Sequence, residues 1–255
     1  MANLGASVGW GLAIAASLLI GASIAAATKL PERLAALITA FGGGVLLAAI
    51  ALELVPEADA RAGLLPTALG LLAGTLIFVG ADAYLSRDEE MMKMRRSGHA
   101  AAAGLEMSMP TAHNGAARGE SIAVGIFVDG VPESIALGLT IAEGAVGLAL
   151  LVGILVGNVV EAYGAAQPIV ASGRSRRFAL ALLAAIGLAL AFSTVLGGTV
   201  LADASDTLTG TAEAVAAGAV LAVVSISVIP YAFDEVRGDV AIAMVLGFIG
   251  GYLLS

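Results

Sequence analysis

Two long apolar segments lie next to each other in residues 119–171, which read GESIAVGIFVDGVPESIALGLTIAEGAVGLALLVGILVGNVVEAYGAAQPIVA. The segments cover 119–142 and 145–171, and each exceeds the roughly 20 residues with which a helix crosses a bilayer. Each also carries carboxylates near its midpoint. The alternation of apolar and polar residues that indicates barrel strands is absent. This stretch therefore predicts two transmembrane helices with acidic groups inside the membrane.

Six further apolar segments flank this pair, and they lie at 5–28, 34–55, 64–85, 178–202, 211–233 and 237–254. A backbone in lipid must satisfy its own hydrogen bonds, which helices do. The sequence therefore predicts an all-α membrane protein with eight transmembrane helices in one domain, residues 1–255. Its only long connection, residues 86–118, is predicted to be a flexible cytoplasmic loop between helices 3 and 4.

The composition excludes the other main classes of protein. Of the 255 residues, 59% are hydrophobic and 13% are charged, against about 25% charged in ordinary globular proteins. These charges are too few for the polar shell of a soluble domain of this size. The net charge of −8 argues against nucleic acid as a partner, and the absence of cysteine excludes a disulfide framework and thiolate metal sites.

The basic residues indicate the orientation. If the N-terminus lies outside the cytoplasm, 11 of the 12 Lys and Arg residues fall in cytoplasmic connections, and the reverse orientation puts 11 outside. Eight helices return the C-terminus to the outer side. We therefore predict a multi-pass protein of the cell (inner) membrane with both termini extracytoplasmic. The acidic residues expected on its outer surface are Glu57, Asp59, Glu143, Asp203, Asp206 and Glu213.

A weak internal repeat relates helix 2 to helix 7. GGVLLAAIALELVP at 43–56 resembles AGAVLAVVSISVIP at 217–230 without a gap. In the topology above the two helices run in opposite directions, and a repeat inserted in opposite directions is typical of inverted-repeat transporters. Chance similarity between two apolar helices is the alternative. The equal distance from the start of each run to its proline favours a repeat and predicts an inverted-repeat transporter bundle.

Five acidic residues fall inside the predicted helices: Glu53, Asp82, Asp129, Glu133 and Glu161. No Lys or Arg lies at the depth of the last three, and an ionised carboxylate at the bilayer centre costs at least about 2.5–3.5 kcal/mol. Asp129 and Glu133, four residues apart, share a helix face, as do Asn158 and Glu161, three apart. Together these groups predict an oxygen-rich site for a divalent cation. Protonated acids that bond to one another between helices are the alternative.

Small residues and a proline surround these acids. We expect Pro132 to kink helix 4, because it cannot donate a hydrogen bond to the preceding turn. We expect Gly130, Gly153 and Gly157 to let helices 4 and 5 approach closely, as small residues do at membrane helix interfaces.

These motifs resemble the ZIP (Zrt-, Irt-like protein) family of divalent metal transporters, and the resemblance covers nearly the whole chain. FGGGVLLAAIALELVPEA at 41–58 is similar to that family's second helix, VDGVPES at 128–134 to its fourth-helix motif H-N-x-P-E-G, and GNVVE at 157–161 to its fifth-helix motif H-x-x-x-E. The motif histidines are replaced here, by Asp129 and Gly157. The resemblance implies Glu133, Glu161 and Asn158 as metal ligands, with Asp129 as a substitute ligand.

The resulting hypothesis is an integral membrane permease that moves a divalent metal cation into the cytoplasm through a carboxylate site between helices 4 and 5. Zinc is the first candidate substrate, with iron, manganese and cadmium as alternatives. Glu53 and Glu57 are candidate residues of the pathway. The expected partners are the metal, the lipid bilayer and a second copy of the chain in a homodimer. No prosthetic cofactor and no enzyme activity are expected. The alternative is a non-transporting, metal-binding ZIP-like protein that acts as a sensor or structural partner.

Overall fold

The computed structural model describes residues 2–85, 112–142, 144, 147–201 and 204–255, and every regular element in these ranges is a helix. We number eight helices in chain order: α1 (Ala2–Ala27), α2 (Glu32–Ala49, continued by Ile50–Leu54 and Val55–Ala62), α3 (Leu64–Leu85), α4 (Ala112–Ala142), α5 (Leu148–Ala171), α6 (Arg176–Leu196, continued by Gly197–Leu201), α7 (Asp206–Val223, continued by Val224–Val228 and Ile229–Val236) and α8 (Asp239–Leu254). The all-α prediction is confirmed.

Seven of these helices are long and apolar enough to cross a membrane, and α8, with 16 residues, is a shorter apolar helix. At 1.5 Å per residue α8 is about 24 Å long, somewhat less than the hydrocarbon core of a bilayer. Large apolar side chains are exposed along the outside of the bundle, as in Leu64 and Leu253, which are 78% and 77% exposed. The chain is a multi-pass membrane protein.

Two helices are longer than predicted, because π-helical turns carry them past a proline. Residues 50–54 and 224–228 are π-helical, and Pro56 and Pro230 lie in the first turn of the α-helical piece that follows each. The helix continues through each π-helical turn, because the N–H groups of Val55 and Ile229 donate to the carbonyls of Ile50 and Val224, and the proline that follows each has no N–H to place. α2 therefore continues to Ala62 and α7 to Val236, beyond their predicted ends at 55 and 233.

The start of α4 also differs from the prediction. This helix begins at Ala112, so residues 112–118, which the sequence placed in the long loop, are helical. Residues 86–111 lie outside the described residues, and so does the prediction of a flexible loop there.

The helices divide into inner and outer ones. About two thirds of the apolar span of α2 and α4, and 61% of that of α5 and α7, is buried inside the bundle, compared with 39% in α1 and α6 and 22% in α3. The four inner helices are thus shielded from lipid, and α4 and α5 carry the predicted metal ligands.

The helix neighbours form matching pairs in the two halves of the chain. In the first half, α2 packs against α8 and α1 packs against α5. In the second half, the corresponding pairs are α7 with α3 and α6 with α4. α1 and α6 also pack against each other, and α4 against α5.

Close glycine contacts at the α2–α8 and α3–α7 pairs show the same correspondence. Four glycines at these two pairs approach a carbonyl oxygen of the adjacent helix so closely that a Cβ would overlap it: Gly44 at Met244, Gly247 at Phe41, Gly218 at Leu71 and Gly74 at Val215. Similarly close contacts without such a counterpart occur at Gly21, Gly138 and Gly197. Phe41 and Gly44 of α2 correspond to Val215 and Gly218 of α7, which lie 174 residues later. In the same way, Leu71 and Gly74 of α3 correspond to Met244 and Gly247 of α8. Two of the three π-helical segments in the described residues, 50–54 and 224–228, are also 174 residues apart, and the third, 197–201 in α6, has no counterpart in α1. The weak repeat in the sequence therefore has matching local structure.

Candidate metal site

A narrow pocket lies between the four inner helices. Its walls are formed by Thr39, Gly42, Gly43 and Leu46 of α2, Glu133 of α4, Gly153, Gly157, Asn158 and Glu161 of α5, and Val223 and Val228 of α7. The empty space measures about 330 Å³, a figure that includes open solvent, and its enclosed part has room for about one water-sized group. The pocket therefore suits a single small ligand.

Three of the four predicted ligands meet in this pocket. Asn158 and Glu161 project from one face of α5, as their spacing of three residues requires, and Glu133 reaches the pocket from α4. Asn158 and Glu133 are 2% and 6% exposed, while Glu161 is half-buried. The carboxyl groups of Glu133 and Glu161 lie close enough to interact electrostatically. α4 and α5 therefore present these three groups to the same pocket.

Asp129, the fourth predicted ligand, does not line the pocket. It is buried, at 5% exposure, one helical turn before Glu133, and it lies within coulombic range of that residue. Asp129 has polar interactions of its own. Asp129 therefore lies near the site in the same helix as Glu133, but it is not among the residues that line the pocket.

The glycines do not play the role that the sequence suggested. A Cβ at Gly130 would lie 2.6 Å from the Leu190 side chain of α6, and a Cβ at Gly153 would lie 2.7 Å from the Leu46 side chain of α2. The expectation that these residues bring α4 and α5 together was therefore wrong. α5 presents Gly153 to a third inner helix, which spacing within one helix cannot reveal. At Gly157, a Cβ would meet no heavy atom within 4 Å.

The predicted pathway residues lie outside the pocket. The carboxylate of Glu53 lies at the first residues of α5, beside the backbone N–H groups of Ala149 and Leu150. An anion is stabilised there, because the first N–H groups of a helix point at it. Glu57 is half-exposed and pairs with Arg61 at 3.3 Å.

Glu213 is not a surface residue, although the sequence placed it among the outer acidic groups. It is 1% exposed in α7, and its Oε1 lies 3.8 Å from Nε of Arg61 in the last part of α2. Hydropathy missed it, because Glu213 lies near the polar start of a helix whose burial depends on the neighbouring α2.

The lining of the pocket is acidic and polar. The eleven lining residues that the structure describes include two carboxylates and no Lys or Arg. The Nδ2 atom of Asn158 is buried and has no hydrogen-bond partner, and buried polar groups usually have one. Thr39, which the sequence analysis did not single out, adds a hydroxyl, and its Oγ1 donates to the carbonyl of Ala35 at 2.9 Å.

The donor set is sparse for a metal centre. Among the residues that the structure describes, no three His, Cys, Asp or Glu side chains form a group that could hold a metal ion. The pocket instead combines two carboxylates with an amide and a hydroxyl. No family model matches the chain, and no curated protein matches it either.

Proposed function

We propose that this protein is an integral membrane permease that moves a divalent metal cation into the cytoplasm through the pocket between the inner helices. Glu133, Glu161 and Asn158 bind the cation, and Asp129 lies near them in α4. The observation that carries the proposal is the convergence of two carboxylates and the amide of Asn158 in a narrow pocket that no described Lys or Arg lines.

The energetics favour a cation as the missing partner. Each ionised carboxylate in the membrane core costs at least about 2.5–3.5 kcal/mol, so two of them at one depth are expensive without compensation. Carboxylate, amide and hydroxyl oxygens are ligands that divalent cations accept. A divalent cation neutralises both carboxylates at once. The amide oxygen of Asn158 can serve as a further neutral ligand.

An inverted repeat gives this site a way to open to either side. Helices that each cross once alternate in direction, so α2 and α7 run oppositely. The matched glycine contacts, neighbours and π-helical segments support a repeat of α1–α3 in α6–α8. α2 and α7 both line the pocket, while α4 and α5 carry its ligands. Rocking of α2 and α7 against α4 and α5 would therefore change access without moving the ligands.

The distribution of Lys and Arg supports the orientation that this import requires. With both termini extracytoplasmic in the cell (inner) membrane, the cytoplasmic connections are basic and the outer ones acidic. The resemblance to the ZIP family supports the same topology, and it supports zinc, iron, manganese and cadmium as the substrates to test first.

A second function is favoured by the sparse donor set. A site without three grouped His, Cys, Asp or Glu ligands among the described residues can still hold a cation in place. A protein with such a site would act as a non-transporting metal sensor or structural partner.

Metal uptake into proteoliposomes tests the proposal, with purified wild type compared with Glu133→Gln and Glu161→Gln. We expect each variant to lose transport by about 10-fold or more, because ligand-shell changes cost metal sites 10- to 100-fold. Asp239→Asn is the matched control, since Asp239 is acidic, half-exposed and outside the pocket, and its ion pair with Arg33 lies on the surface. Wild-type rates in both pocket variants for every divalent metal would refute the site. Metal binding by calorimetry without flux would instead favour the sensor.

A further inference from the structure

We propose that position 157 determines which divalent cations the pocket accepts, and that glycine there makes the site oxygen-only, so that it takes hard cations such as Mn²⁺ at least as readily as Cd²⁺. This inference rests on the proposed transport function and names the substrate class of the same site.

Every donor atom that the lining residues can offer from a side chain is an oxygen, apart from the amide nitrogen of Asn158, which does not ligate metals. The donors are Glu133, Glu161, Asn158 and Thr39, and the remaining lining residues are glycines and aliphatic side chains. Oxygen ligands suit magnesium, manganese and calcium, whereas thiolate and imidazole ligands select softer ions such as zinc.

Nitrogen and sulfur donors are remote from the pocket in the described part of the chain. The chain has no cysteine and only two histidines. His113 lies in α4, 20 residues before Glu133, which is about 30 Å along a helix. His99 lies outside the described residues. Met244, in α8, packs against the hydrophobic core and is not a lining residue.

Gly157 is the place where a further donor would fit. It lines the pocket next to Asn158 and one turn before Glu161, so its Cα faces the same space. A Cβ there would meet no heavy atom within 4 Å, in contrast to Gly153, where it would press against Leu46. A small side chain at 157 can therefore enter the pocket without displacing a neighbour, and its chemistry would add to the donor set.

Serine and cysteine make a matched pair at this position, because they differ mainly in offering oxygen or sulfur. We expect Gly157→Cys to shift competition between Cd²⁺ and Mn²⁺ for uptake toward Cd²⁺ by about 10-fold or more, since a soft thiolate joins the site. Gly157→Ser should leave the competition ratio within about 3-fold of wild type, because the donor set remains oxygen.

The cysteine variant also provides a readout that does not need transport. Gly157→Cys would introduce the only thiol in the chain, so Cd²⁺ bound in the pocket should give an ultraviolet thiolate-to-metal charge-transfer absorbance that Gly157→Ser lacks. This absorbance would also show that the variant is folded with position 157 at the cation site.

The outcomes separate this inference from the proposed function. Equal Cd²⁺ to Mn²⁺ ratios in the cysteine and serine variants, with Cd²⁺ bound by both but without thiolate absorbance in the cysteine variant, would overturn the role of position 157. So would a wild type that transports Cd²⁺ but no Mn²⁺. In either case uptake that depends on Glu133 and Glu161 would keep the proposed function intact. Absence of divalent uptake and binding in the wild type would instead refute the proposed function.

Discussion

The helix contacts at Gly44 and Gly218 allow a sharp test of the fold, because each glycine abuts backbone rather than a side chain. A Cβ at Gly44 would overlap the carbonyl oxygen of Met244 and lie 2.8 Å from the Met244 carbonyl carbon. A Cβ at Gly218 would overlap the carbonyl oxygen of Leu71 and lie 2.7 Å from the Leu71 carbonyl carbon. A backbone carbonyl cannot rotate away as a side chain can. Alanine at either position should therefore push a helix pair apart.

The magnitude follows from two opposing effects. Overpacking costs about 1–3 kcal/mol, and we take the upper part of that range because the obstacle is backbone. Replacing glycine by alanine inside a helix returns up to about 1 kcal/mol in helix propensity. The net loss should be about 2 kcal/mol for Gly44→Ala and for Gly218→Ala. In a protein of this size that corresponds to a Tm lower by about 4–8 °C.

Thermal unfolding of detergent-purified variants measures this loss. The control is Gly80→Ala in α3, because Gly80 is exposed and a Cβ there would meet nothing within 4 Å. Its Tm should equal that of wild type or slightly exceed it. If all three variants unfold at the same temperature, the close α2–α8 and α7–α3 contacts, and with them the matched halves of the fold, would be refuted.

Three further substitutions test individual contacts. Glu53→Gln should cost about 0.3–1 kcal/mol of stability, because it removes the anion at the start of α5. The variant should keep metal uptake within about 2-fold of wild type. A much larger loss of uptake would place Glu53 in the transport pathway. Tyr163→Phe should cost about 1 kcal/mol in thermal unfolding, because the Tyr163 hydroxyl accepts a 2.8 Å hydrogen bond from the Leu30 N–H, and an unchanged Tm would show that this bond contributes nothing. Arg33→Ala should change the free energy of unfolding by less than about 1 kcal/mol in a denaturant titration, because its ion pair with Asp239 is exposed on both sides; a loss of several kcal/mol would contradict that estimate.

Much of the fold and part of the site could be predicted from local sequence. Apolar length alone locates the eight helices, because a helix that crosses lipid must be long and apolar. Asn158 and Glu161 point into one pocket because three residues make nearly one turn, and Glu133 meets them because it lies at a similar depth in the neighbouring helix. These relations are within one helix or between consecutive helices.

The remaining features depend on contacts between distant parts of the chain. The α2 and α7 walls, with Thr39 among them, could not be predicted, because a single threonine in an apolar helix carries no distinctive pattern. Asp129 was expected in the site on the strength of its spacing from Glu133, but small differences in direction along a helix decide which group reaches a pocket. Glu213 is buried by the last turns of α2. The predicted helix stopped at residue 55, because the π-helical turn that carries α2 past Pro56 leaves no signal in hydropathy.

The central claim is that a divalent cation binds between α4 and α5 on Glu133, Glu161 and Asn158. The most direct measurement is anomalous scattering from crystals soaked in Mn²⁺, with a Glu133→Gln and Glu161→Gln double variant soaked in parallel. We predict one strong peak in the wild-type pocket, within about 2.0–2.6 Å of carboxylate oxygens, and no peak there in the double variant. A wild-type pocket without a peak, or a peak that persists in the double variant, would contradict the claim.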